Sequence, residues 1–212
     1  MSQRSLSALV EGTKQQPIRR DSTAKDKRAD QAARRLPGTI LDPTAWGGSC
    51  TSSESTLHQL APFIGKMKSA MARALIEAFT CPGDVVLDPF AGSGTIPLEC
   101  LCAQRHVVCS DTNPYAVTLT KAKVAPPPTL DEALDSAKLY LSKAAVLSPW
   151  VSLSLIPDWV KAFFHPRTLQ EVVALAGLLR ANHEHFLLAC LLGILHHQRP
   201  GFLSFPASHP LL

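Results

Sequence analysis

A chain of 212 residues, 46% hydrophobic and 18% charged, is long enough for one domain with a sizeable core and too apolar to be disordered throughout. Residues 1–35 hold nine of its 21 Lys/Arg and four of its 17 Asp/Glu, so the whole positive surplus lies in an N-terminal arm and the body is not a basic protein. No apolar run follows the early basic residues, so no signal peptide is expected, and the longest such run, FLLACLLGIL (186–195), falls short of the roughly 20 residues that span a bilayer.

The arm is polar and poor in large apolar residues, so it is predicted to be a solvated, disordered tail able to touch phosphate backbones. Residues 36–59, rich in Gly, Ser, Thr and Pro, read as loop, and 1–56 is taken as arm and loop together. KMKSAMARALIEAF (66–79) has helical apolar spacing and stops at Pro82-Gly83. VVL (85–87) is β-branched and apolar on both parities, as a buried parallel strand is. Helix over 95–104, strand over 106–110 and helix over 113–124 follow, the last stopped by APPP. The order is a βαβ unit within 57–128.

From 129 to 212 the pattern is helical. TLDE (Thr129, Glu132) and TLQE (Thr168, Glu171) both match the capping box, and further helices are expected over 158–164 and 185–197. Two strands are few for a doubly wound sheet, so the fold is expected to be incomplete.

The stretch VVLDPFAGSGTIPLEC (85–100) carries the chemistry. In an open parallel sheet ligands sit beyond the carboxyl ends of the strands, and Asp88 stands at such an end. Gly92 and Gly94 allow a tight turn and a close ligand, and Thr95 opens a helix with free N–H groups. A phosphate loop would need a Lys after the glycines, and a dinucleotide fingerprint would need a third Gly where Pro97 stands. A carboxylate at the turn opposes a pyrophosphate and favours a cation. The ammonium and sulfonium of S-adenosyl-L-methionine meet that demand. Asp111, at the end of the second strand, is suited to accept both hydroxyls of a ribose.

These residues resemble the DNA amino-methyltransferases, which act on cytosine-N4 or adenine-N6. LDPFAGSGT (87–95) is similar to their first cofactor motif, APFIGKM (61–67) to the segment before it, and SDTNPYAV (110–117) to the second motif. The resemblance implies a Rossmann-like α/β methyltransferase fold with a helical C-terminal part. It implies S-adenosylmethionine held by Phe63, Asp88, Pro89, Phe90, Gly92, Gly94, Thr95, Asp111 and Asn113. It also implies DNA as partner, direct methyl transfer to a base taken out of the stack, and a restriction-modification role.

The first motif is shared with a group of RNA guanine-N2 methyltransferases, so RNA is the alternative partner. The family's catalytic tetrapeptide, [DNS]-P-P-[YFW], matches nothing here: NPYA (113–116), APPPT (125–129) and LSPW (147–150) each depart from it. No catalytic residue is therefore assigned. A truncated frame, a second polypeptide supplying the motif, or a non-catalytic cofactor-binding subunit are the readings this leaves.

Other constellations are read as structural. His183 and His185, two apart on a helix, point to different faces, and no metal site is expected from them or from His196 and His197. Six cysteines without a C-x-x-C pair read as reduced thiols, as expected of a cytoplasmic protein; Cys100 and Cys102 diverge on their helix. Trp46, Trp150 and Trp159 are expected to anchor core or loops.

Overall fold

A computed structural model describes residues 54–195. A short 3-10 turn, Thr56–Gln59, leads through an extended segment into α1 (Ser69–Phe79). Then come β1 (Val85–Asp88), α2 (Thr95–Cys102), β2 (His106–Cys109) and α3 (Pro114–Val124). Four more helices follow: α4 (Leu130–Leu147), α5 (Asp158–Lys161), α6 (Pro166–Ala181) and α7 (His185–Ile194), with a 3-10 turn, Ser148–Trp150, between α4 and α5. The strands pair parallel, Val85 opposite His106 and Asp88 opposite Cys109, so β1, α2 and β2 form the expected βαβ unit.

Local chemistry explains most boundaries. Asn113 caps α3, its Oδ1 accepting the Tyr115 N–H at 2.9 Å, and Pro114 fills the first helical position, where its missing N–H costs nothing. Thr129 caps α4 in the predicted box: its hydroxyl accepts the Glu132 N–H at 3.2 Å and donates to the Glu132 carboxylate at 3.1 Å. α2 ends at Cys102 rather than 104, because Gln104 turns left-handed at φ 61°. α1 begins at Ser69 rather than 66, since Gly65 has φ 78° and Lys68 is extended.

Other expectations need correction. Thr168 opens no capping box: Pro166 starts α6 two residues earlier, and His165 Nδ1 accepts the Arg167 N–H at 3.3 Å. Only Asp158–Lys161 of 158–164 is α-helical. α7 stops at Ile194, and His196 and His197 lie outside the described residues. Trp150 and Trp159 are exposed, so neither anchors a core; Trp46 lies outside the described residues, as does the arm.

The largest correction concerns the strands. α2 packs on the sheet, yet Val85, Leu87 and Val108 are 67%, 70% and 57% exposed. They share a face by register, and no described element covers it. A parallel sheet is ordinarily covered on both faces. The apolar-on-both-parities pattern is therefore right about composition, while one face is partly buried and the other exposed among the described residues.

Two apolar clusters hold the rest. Leu119 and Ala122 of α3 meet Ala189 of α7 and Ala61, with Phe63 and Tyr115 packed against them. Tyr140 of α4, Leu179 of α6, and Leu188 and Leu191 of α7 form the second. A Cβ on Gly193 would lie 2.5 Å from the Leu60 carbonyl oxygen, so α7 presses directly on the segment that precedes α1.

Candidate functional site

The carboxyl ends of β1 and β2 are stitched together. The Ser110 N–H donates to the Asp88 carbonyl at 3.1 Å, the Ala91 N–H to the Ser110 carbonyl at 3.0 Å, and the Ser110 hydroxyl to the Pro89 carbonyl at 3.2 Å. Between these loops the chain reverses, the Gly94 N–H closing on the Ala91 carbonyl at 2.8 Å. Gly94, at φ 76°, precedes the first residue of α2. Ser93 and Thr95 are buried beside it, their hydroxyls 3.3 Å apart, and the Thr120 hydroxyl donates to the Gly92 carbonyl at 3.3 Å.

Two acids flank this turn. One Asp88 oxygen accepts the Phe90 N–H at 3.2 Å. Asp111 is more engaged: one oxygen accepts the Gly92 N–H and the other the Asn113 N–H, both at 2.8 Å. Those two N–H groups, Asn113 first, hold its carboxyl below its ordinary value of 3.8, so it is ionised at neutral pH. Each oxygen retains acceptor capacity.

Phe63 arrives from the segment before α1. Its ring lies 3.6 Å from the place a Cβ on Gly92 would take, and it stacks on Tyr115 at 5.9 Å between centroids with an interplanar angle of 22°. Asp88, Gly92, Gly94, Thr95, Asp111 and Phe63 are thus gathered around one turn. Pro89 and Phe90 lie on its exposed side, Phe90 with its ring in solvent. Asn113 faces its own helix as a cap rather than presenting a free amide oxygen.

The sequence reading missed the support beneath this turn. Glu99 of α2, 1% exposed, is clamped between His58 Nε2 at 2.7 Å and Arg73 Nε at 2.8 Å. Burial pushes its carboxyl up, and the His58 and Arg73 hydrogen bonds more than reverse this, leaving it below its ordinary value. An acid inside the apolar helix TIPLECLC was the available signal, because a buried charge demands partners. Lys66 adds a bond to the His58 carbonyl at 2.7 Å.

The described cysteines form no disulfide, and burial pushes the Cys100 thiol up to about 11, which suits packing rather than chemistry. Cys102 is exposed, on a different side of α2 from Cys100. Among the described residues no group of three or more His, Cys, Asp or Glu is arranged to hold a metal ion, and no helix is long and apolar enough to cross a membrane.

Comparison with known proteins gives two matches. The family model described as DNA methylase (N6_N4_Mtase) matches residues 10–122, more than half of the chain. A stretch of 49 residues is 51% identical to the Type II methyltransferase M.XycI of Xanthomonas campestris pv. cyanopsidis. That stretch is 23% of this chain and 16% of the relative, so the match spans less than a fifth of the relative's length. No solved structure matches.

Proposed function

The chain belongs to the DNA methylase (N6_N4_Mtase) family, and on that footing we propose that it is the cofactor-binding portion of an S-adenosylmethionine-dependent DNA methyltransferase with a Rossmann-like core. The target is an amino group, cytosine-N4 or adenine-N6. One observation carries the reading: two acids at neighbouring parallel strand ends, with a left-handed glycine turn between them.

The residues fit the group. The turn at Gly94 leaves no room for a side chain, Asp88 is partly exposed, and Asp111 is held ionised by two backbone N–H groups. In this reading Asp88 pairs with the ammonium of the methionine portion, and Asp111 accepts ribose hydroxyls with the lone pairs its backbone bonds leave free. Phe63 closes one wall of the site, Gly92 and Gly94 admit the ligand to the backbone, and Pro89, Phe90, Thr95 and Asn113 shape the two loops. When bound, S-adenosylmethionine supplies an electrophilic methyl group. The protein's share is orientation of the reactants.

The tetrapeptide that would hold the target amine is not in the sequence. A second reading follows: this chain is a cofactor-binding subunit, and a second polypeptide brings [DNS]-P-P-[YFW]. The sheet face of Val85, Leu87 and Val108, which no described element covers, is consistent with it, since a parallel sheet is ordinarily covered on both faces. DNA is the substrate favoured by family membership; an RNA guanine is the alternative. The test is calorimetry with S-adenosylhomocysteine, which should bind, against NAD, which should not. Equal or tighter binding of NAD would sink the assignment.

A further inference from the structure

We propose that Tyr115 is a positioning residue for the adenosyl ligand, acting through Phe63; the inference rests on the cofactor reading above. Phe63 lies in a segment without regular structure. Ile64 beside it is 99% exposed, and Gly65 is left-handed. Such a segment does not place a ring by itself. On its near side Leu60 and Ala61 are pinned under Gly193 of α7, and on its far side Lys66 Nζ is bound to the His58 carbonyl. Between these anchors Tyr115 grips the chain twice. Its hydroxyl donates to the Pro62 carbonyl at 2.6 Å, and its ring stacks on Phe63 at 5.9 Å.

Tyr115 is well placed to pass on the position of the strand ends. It is the second residue of α3, and its own N–H is held by the Asn113 cap at 2.9 Å. The Asn113 N–H goes to one Asp111 oxygen, and the Gly92 N–H to the other, each at 2.8 Å. Phe63 then returns to Gly92. The contacts close a ring: Gly92, Asp111, Asn113, Tyr115, Phe63, Gly92. Phe63 is thereby referenced to the same acid that the cofactor reading gives to the ribose. Burial raises the Tyr115 hydroxyl above its ordinary value, so it stays a donor at and above neutral pH. A Phe in its place keeps the stack and releases Pro62.

The test is a double-mutant cycle in ligand affinity. Calorimetry with S-adenosylhomocysteine and with adenosine is run on the parent, Tyr115→Phe, Phe63→Ala and the double variant. One neutral hydrogen bond corresponds to about fivefold in affinity, so Tyr115→Phe should weaken both ligands by that factor. In the Phe63→Ala background the same change should do nothing. Additive losses would overturn the proposal, since Tyr115 would then act independently of Phe63; so would unchanged affinity in Tyr115→Phe. Tryptic cleavage after Lys66, followed by mass spectrometry without ligand, supplies a second reading. Tyr115→Phe should be cut several-fold faster than the parent, and an equal rate overturns the latch. Failure of the parent itself to bind either ligand would remove the cofactor reading and this inference together, and that result precedes any variant.

Discussion

Gly94 stands directly against Thr120: a Cβ on Gly94 would come within 2.8 Å of both Cα and Oγ1 of Thr120. The turn at the strand ends and α3 are thus in backbone contact. Because one of the crowded atoms is main chain, shortening the Thr120 side chain does not make room.

Gly94→Ala should therefore destabilise the protein by roughly 2–4 kcal/mol, combining the left-handed strain at φ 76° with the clash. Gly177→Ala is the control. It lies within α6 with nothing within 4 Å of an added Cβ, and it should stabilise by about 0.5–1 kcal/mol. Urea unfolding of the two variants reads both signs. Equal effects would mean that the turn yields to a side chain.

Glu99→Gln tests the clamp under the turn. Breaking a buried ion pair leaves uncompensated groups, and with Arg73 38% exposed the cost should be about 3 kcal/mol. The pH dependence has a definite sign. The folded carboxyl lies below its ordinary 4.5, so the clamp's contribution is complete above that value and is lost as pH falls through the folded one. Denaturant melts between pH 3 and 7 should show a shallower acid limb in Glu99→Gln than in the parent. Parallel limbs would show that Glu99 is not ionised in the fold.

How far the sequence foretold this arrangement depends on the span of each interaction. The glycine turn after Asp88, the Thr129 cap and both strands are set by neighbours a few residues apart, and all were legible, whereas Asn113 was read as the first helical residue and proves to be its cap. His58 meets Glu99 across 41 residues and Tyr115 meets Pro62 across 53, and neither pairing leaves a local trace. The Thr168 box failed for a different reason: Pro166, with φ preset for the first helical turn, competed better for the start of α6. Strand burial was misread because periodicity reports an apolar face without reporting what covers it.

Lys123 should yield a stabilising substitution. It is 1% exposed, and its Nζ has no hydrogen-bond partner among the described residues. Burial, then the charge of Lys66, lowers it from 10.5 to about 8, with Glu54 opposing. The unfolded chain thus binds more protons between about pH 8 and 10.5, and stability rises with pH across that window. Lys123→Met removes the cost of holding the amine, so it should gain roughly 2–3 kcal/mol at pH 7. The gain should disappear above pH 10.5. Urea melts at both pH values measure this, and a loss of stability at pH 7 would show that the ammonium has a partner worth keeping.

The two strand-end acids should separate by ligand. Asp88→Asn keeps the shape and the bond from the Phe90 N–H, but removes the charge proposed to face the ammonium. A charge-assisted hydrogen bond contributes on the order of 1.5–3 kcal/mol, so S-adenosylhomocysteine should bind roughly ten- to a hundredfold more weakly. Adenosine has no methionine portion, and its affinity should be unchanged. Asp111→Asn should weaken both ligands, because both present the ribose. It should also loosen the turn, since an amide retains one acceptor oxygen where the carboxylate serves two N–H groups, those of Gly92 and Asn113. Circular dichroism and melting curves must show both variants folded before affinities are compared. If the folded variants bind the two ligands as the parent does, Asp88 and Asp111 are turn formers only, and family membership alone would remain to support methyl transfer.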